Sequence, residues 1–186
     1  FGSGTHQASV DANGNWSANF PMSEVPSGET TATVTATATD AFGNTSTSSG
    51  QVDIDTLVRD FGFTGSTGGA DGVINIAEAA SNLVMTGTTE PGSSVVVSMN
   101  GASHNAVVSA NGTWTVSFSP NEIPTGTTVT TMTAVATDAA GNVDTITRDV
   151  AIDRDAGVLT ISSTPIEGDD VVNDAEDGHV TISGSG

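Results

Sequence analysis

Residues 110–118 read Ala110-Asn111-Gly112-Thr113-Trp114-Thr115-Val116-Ser117-Phe118, an Asn-Gly pair followed by alternating apolar and small polar side chains. Period-two alternation puts Trp114, Val116 and Phe118 on one face of a strand and Thr113, Thr115 and Ser117 on the face toward water. Asn-Gly between two such runs is the strongest short hairpin signal, and it predicts a type I′ turn with positive φ at both Asn111 and Gly112. The same pattern stands 98 residues earlier as Ala12-Asn13-Gly14, Trp16 and Phe20.

Working outward, the correspondence runs without gaps from His6–Asp55 onto His104–Asp153, with half of the 50 aligned positions identical. Glu24-Val25-Pro26 answers Glu122-Ile123-Pro124, Asp40-Ala41 with Gly43-Asn44 answers Asp138-Ala139 with Gly141-Asn142, and Ile54-Asp55 answers Ile152-Asp153. The same offset relates Asp71, Val73, Asn75 and Glu78 to Asp169, Val171, Asn173 and Glu176. The chain is therefore a tandem array. Residues 1–55 read as the C-terminal part of one repeat, 56–155 as a complete repeat, and 156–186 as the N-terminal part of the next. Opening at Phe1-Gly2-Ser3-Gly4, the sequence reads as an excerpt from something longer.

Within the complete repeat, short runs rich in Val, Thr and Ile lie between turn residues, which is an all-β pattern. Strands are predicted at 58–64, 82–88, 94–100, 103–109, 113–118, 128–137 and 144–153. One helical candidate, Ile74–Ala80, falls in the loop after the first strand. Seven strands in about 100 residues, with turns every 8 to 12, predict an immunoglobulin-like β-sandwich. With no cysteine in the chain, Trp114 and its aliphatic neighbours must fill that core without a disulfide, and losing Trp114 to Ala is expected to cost about 3–5 kcal/mol.

The 186 residues include 22 Asp or Glu against three Arg and no Lys, a formal charge of −19. Nucleic acid is excluded as a partner, because phosphate neutralisation needs clustered cations and Arg59, Arg148 and Arg154 are scattered. An anionic membrane surface is excluded on the same ground, and no apolar run reaches the roughly 20 residues of a membrane span. A hydrophobic content of 35% separates the chain from disordered acidic tails. So much unpaired negative charge calls for a counter-charge from outside, and without thiolates any ion would be held by oxygen.

Five motifs in order carry a family resemblance: Val73–Ala79 (VINIAEA), Thr86–Ser93 (TGTTEPGS), Ala110–Val116 (ANGTWTV), Ala136–Asn142 (ATDAAGN) and Val150–Asp153 (VAID). Together they resemble the bacterial Ig-like extender repeats of giant RTX-type and biofilm-associated surface adhesins. The resemblance implies a non-catalytic stalk, extracellular on a bacterial cell surface, holding an adhesive tip away from the cell. It also implies calcium at the domain junctions and neighbouring repeats of the same chain as partners.

In the usual Ig strand order, loop 65–81, loop 119–127 and the exit of the last strand share the C-terminal pole, while loop 138–143 lies at the N-terminal pole. Asp71, Asn75 and Glu78 then meet Asp153 and Asp155, with Asp169, Asn173 and Glu176 as their counterparts in the next repeat. Asp53, Asp55 and Asp60 meet Asp138 at the other junction. Each set offers hard oxygen ligands, which carbonyls and water complete to the six to eight that calcium prefers. Structural alternatives stand beside these. Asp40 and Asp138 can cap their turns, Asn75 can cap a helix, and the remaining carboxylates can be solvated. A halophilic or marine setting would also account for general acidity.

His6 and His104 are equivalent and begin a strand, a structural position, and no nucleophile–His motif, phosphate loop or HExxH accompanies any histidine. The chain is expected not to be an enzyme. The competing reading, an Ig-like module that itself binds a carbohydrate or host protein, needs exposed aromatics, and most of the eight occupy repeated core positions. Neither terminal part holds all the strands of a sandwich. If both are ordered, head-to-tail complementation between molecules is expected.

Overall fold

Trp114, Val116 and Phe118 are all buried, as the alternation requires, and they anchor a β-sandwich. The structure is a computed structural model and describes residues 4–175 and 178–186. Its strands are β1 (Glu29–Thr39), β2 (Thr45–Asp55), β3 (Gly62–Thr64), β4 (Val73–Asn75), β5 (Leu83–Thr88), β6 (Ser94–Met99), β7 (Ala102–Asn105), β8 (Val107–Val108), β9 (Thr113–Phe118), β10 (Thr127–Thr137), β11 (Val143–Asp153), β12 (Thr160–Ile161) and β13 (Gly184–Ser185). No α-helix occurs among the described residues.

A five-stranded sheet in the order β4-β11-β10-β6-β7 packs on a four-stranded sheet in the order β3-β5-β9-β8. The core between them holds Trp114, Phe118, Met85, Met99, Met132, Ile74, Ile152, Val95, Val97 and Val150. Trp114 meets Phe63 edge to face at 5.4 Å and donates from Nε1 to the Thr88 carbonyl at 3.0 Å, so its polar atom is satisfied inside the core. Its ring lies over Gly87, where a Cβ would come within 2.1 Å of Cζ2. Arg148 of β11 crosses to the other sheet, stacking on Phe63 at 4.8 Å and donating to the Gly65 carbonyl at 2.8 Å.

The structure corrects three local expectations. Ile74–Ala80 is not a helix. Val73–Asn75 pairs in parallel with Ala151–Asp153, and only Glu78–Ala80 makes a single 3₁₀ turn. The expected strand 103–109 is two strands that change sheets at Ala106, β7 pairing with β6 and β8 with β9. The turn at Asn111-Gly112 is not type I′, because Gly112 has φ of 81° while Asn111 is not among the positive-φ residues. Gly112 N donates to Ser109 O and Ser109 N to Thr113 O, which closes a three-residue loop around a type I turn.

The flanks are less complete. β1 and β2 form an isolated hairpin over the full register Glu29↔Asp55 to Thr39↔Thr45, and β12 pairs only with β13. Residues 4–20, which correspond to β7–β9, form no ladder. Trp16 is 54% exposed where Trp114 is 0%, and Phe42, whose counterpart is Ala140, is 93% exposed.

Candidate metal centre

β1 and β2 end where the complete repeat begins. Ile54 is buried and Asp55 is the last residue of β2, paired across the hairpin with Glu29. The linker drops Val58 into the core of the following sandwich. Asp60, with φ of 55°, then turns the chain into β3, and its carbonyl accepts from Thr88 Oγ1 at 2.8 Å. From the far side comes the β5–β6 turn with Glu90. Among the described residues one group of three carboxylates brings ligand atoms within 4.8 Å of one another: Glu29, Asp55 and Glu90.

Two other side chains reach this group. Asn142 donates from Nδ2 to Asp55 Oδ1 at 2.9 Å and to Asp138 Oδ2 at 2.7 Å, tying the hairpin to loop 138–142. Arg59 pairs with Glu29 through Nε, lies 3.9 Å from Glu90 Oε2, and donates its backbone N–H to that carboxylate. Three carboxylates against one guanidinium leave the junction net negative. The donors are hard oxygens, and the hydroxyls of Thr89 and Ser93, which bracket Glu90, are buried without a hydrogen-bond partner. The set fits a calcium ion in ligand chemistry and charge.

The sequence candidates for this pole fall in distinct places. Asp55 is in the group. Asp53 accepts from Thr31 Oγ1 across the hairpin at 2.8 Å, and Asp60 contributes a backbone carbonyl to β5. Asp138 is a turn cap: Oδ1 accepts from the N–H of Gly141 and of Asn142, both at 2.8 Å, and Oδ2 from Asn142 Nδ2. Burial acts to raise the Asp138 pKa, but the Asn142 side chain and the N–H groups of Asn142, Gly141 and Ala140 outweigh it and hold the group below its ordinary value. Asp40 repeats the geometry, accepting from Asn44 Nδ2 and from the N–H of Phe42 and Asn44, and its pKa is likewise lowered, by the Asn44 side chain first.

At the opposite pole the parallel β4–β11 pair sets Asn75 beside Asp153. Asn75 Oδ1 caps the 3₁₀ turn by accepting from the N–H of Ala77 and Glu78, and Glu78 Oε2 accepts from Asn75 N. Asp71 Oδ1 accepts from Val73 N at 3.1 Å. Glu78 Oε1 and Asp71 Oδ1 both face Gly69, lying 2.3 and 4.0 Å from where its Cβ would be. Asp153 accepts from Thr127 Oγ1 and from Asp155 N, and Asp155 accepts from Gly157 N. Asp169 and Asn173 repeat the local bonds of Asp71 and Asn75, accepting from Val171 N and Ala175 N at 2.9 Å. Glu176 lies outside the described residues. The third arginine, Arg154, donates to the carbonyls of Ile123 and Pro124, tying loop 119–127 to the exit of β11.

Glu29 and Glu90 were not among the sequence candidates. Recurrence in the repeat singled out Asp55 with Asp153, Asp138 with Asp40, and Asp71, Asn75 and Glu78 with their counterparts, and these two do not recur: Thr127 stands in the place of Glu29, and Glu90 has no counterpart in the chain. The histidines are structural in both copies, His6 with Glu24 at 2.6 Å and Phe20, and His104 with Glu122 at 2.8 Å and Phe118.

Residues 73–153, from β4 to β11, match the model of the family described as Bacterial Ig domain. That family is non-catalytic, and the domain is not an enzyme. The chain is similar to a solved Ca2+-stabilized adhesin that helps an Antarctic bacterium reach out and bind ice, at 31% identity, 94% of this chain, 44% of that one and a TM-score of 0.42. It is also similar to a 1.5-MDa bacterial ice-binding adhesin solved for its host cell surface retention, at 24% identity, 83% of this chain, 51% of that one and a TM-score of 0.42. A bacterial immunoglobulin-like domain from the M. primoryensis ice-binding adhesin matches at 26% identity over 53% of this chain and 97% of its own, with a TM-score of 0.36. The chain spans about half or less of the length of the first two. No curated protein matches it.

Proposed function

We propose that this chain is a calcium-stabilised stretch of the extender stalk of a bacterial cell-surface adhesin, extracellular, rigidified at its domain junctions and holding a distal adhesive tip away from the cell. Residues 1–55, 56–155 and 156–186 belong to three successive repeats. The observation that carries the reading is the meeting of Glu29 and Asp55, at the end of one unit, with Glu90 of the next, around a linker only a few residues long. Without an ion the residual negative charge repels across the junction and the linker samples many angles. Calcium held by carboxylates from both units removes the repulsion and fixes the angle. At the C-terminal junction Asp71, Asn75, Glu78, Asp153 and Asp155 are the corresponding donors, and Asp169, Asn173 and Glu176 repeat them one unit on. Asp53, Asp60 and Asp138 act at the first junction through the hairpin, the turn into β3 and Asn142.

Small-angle scattering of the chain in calcium and then in chelator tests the reading. A longer maximum dimension in calcium is expected. An unchanged dimension rules out the stiffening role.

A further inference from the structure

Three stretches carry the Asn-X-Ser/Thr pattern of an N-glycosylation acceptor: Asn15-Trp16-Ser17, Asn44-Thr45-Ser46 and Asn111-Gly112-Thr113. All three asparagines are exposed, so exposure does not separate them. Their amide groups do. Asn15 donates from Nδ2 to Asp11 Oδ2 at 3.2 Å, and Asn44 donates from Nδ2 to Asp40 Oδ2 at 2.8 Å, so both nitrogens are held by a carboxylate. Asn111 is turned the other way. Its Oδ1 accepts from Thr113 N at 3.2 Å and from Thr113 Oγ1 at 2.9 Å, and Ser109 Oγ lies 2.6 Å away. A backbone N–H can only donate, so the Thr113 N–H fixes the oxygen as the inward atom and leaves Nδ2 outward. Among the described residues Asn111 Nδ2 has no hydrogen-bond partner. The turn does not need this set of side chains, since the preceding copy closes the same loop with Asp11, whose Oδ1 accepts from the N–H of Asn13 and Asn15.

We propose that the folded domain presents Asn111 as an acceptor for an N-linked sugar, taken from a nucleoside diphosphate hexose by a transferase of Asn-X-Ser/Thr specificity. In that step Nδ2 forms a bond to the anomeric carbon as the bond from that carbon to the phosphate oxygen breaks. The nucleoside diphosphate leaves with the electron pair, and Nδ2 gives up one of its two protons to a base of the transferase. An amide nitrogen is a poor nucleophile because its lone pair is shared with the carbonyl. Loss of its proton places negative charge on Oδ1, where the Thr113 N–H and hydroxyl are already aimed, which is the logic of an oxyanion hole. The sugar would stand at the junction pole, because Thr89 N, next to Glu90, donates to the Gly112 carbonyl at 2.8 Å. This inference is independent of calcium.

The folded chain, incubated with a soluble bacterial asparagine N-glycosyltransferase and UDP-glucose, is read by intact mass and peptide mapping. One hexose at Asn111 is expected. Asn15 and Asn44 must first release a carboxylate and should react about tenfold more slowly or worse. Thr113→Ala should abolish the modification and Thr113→Ser should restore it, with fluorescence of the buried Trp114 verifying that the fold persists in both. Short synthetic peptides spanning each of the three sites lack the loop and should lose the preference for Asn111. Equal rates at the three sites of the folded chain, no hexose at Asn111, or the same preference in the short peptides would overturn the proposal.

Discussion

Asp138 illustrates how a residue read as a ligand is used first by its own loop. Its turn closes when Asp138 N donates to Asn142 O and Gly141, at φ of 95°, donates to Asp138 O, and the carboxylate then takes up the remaining donors. The same arrangement recurs at Asp40 and Asp11, while at the equivalent Ser109 the hydroxyl donates to the Thr113 carbonyl and Asn111 Oδ1 accepts the Thr113 N–H. Asp11, Asp40, Asp138 and Glu122 all titrate below their ordinary values, Asp11 through the Asn15 N–H first and Glu122 through the Ser119 N–H first. A carboxylate with a depressed folded pKa contributes stability that is present above its unfolded pKa and disappears as pH falls through the folded one. Stability should therefore hold from neutral pH down to the ordinary carboxylate range and fall below it. Asp138→Asn, which cannot titrate, should flatten that acid limb, as denaturant unfolding between about pH 6 and pH 3 will register.

At the scale of elements, the long strands were legible because alternation survives in them. The short ones were not, because their pairing is decided by contacts distant in sequence. Val73-Ile74-Asn75 is only three residues beside the edge of β11, too short for a period, and the Asn75 cap and Glu78 imitate a helix start in sequence. The junction itself was half legible. Asp55 recurs as Asp153 and could be picked out, whereas Glu29, Arg59 and Glu90 meet only because β1, the linker and the β5–β6 turn converge. Arg59, whose counterpart is Gly157, sets up a test at this scale. A half-exposed ion pair contributes at most about 1 kcal/mol, so Arg59→Gln should lower the melting point only slightly in chelator. In calcium the same substitution removes a positive charge from beside the ion and should enlarge the calcium-dependent rise in melting temperature. An equal or smaller rise would place the ion elsewhere.

For the whole molecule the question is what balances a charge of −19. The three arginines are all committed, Arg59 to the acidic junction, Arg148 to the β3 backbone and Phe63, and Arg154 to the Ile123 and Pro124 carbonyls. None is left to neutralise the exposed carboxylates at large. Diffuse screening by any salt and occupancy of built sites by calcium are separable by their concentration dependence. Screening follows ionic strength, with a Debye length near 10 Å at 0.1 M, whatever the cation. Site binding stabilises by RT ln(1 + [L]/Kd), about 2.7 kcal/mol at a hundred times the dissociation constant, and continues to rise with the logarithm of the free ion. Low-millimolar calcium is expected to raise the melting temperature where sodium at equal ionic strength does not, and Glu90→Gln should remove part of that rise while leaving the sodium response unchanged. Equal midpoints in the two salts would assign the acidity to screening alone and leave the junction carboxylates as solvated charge.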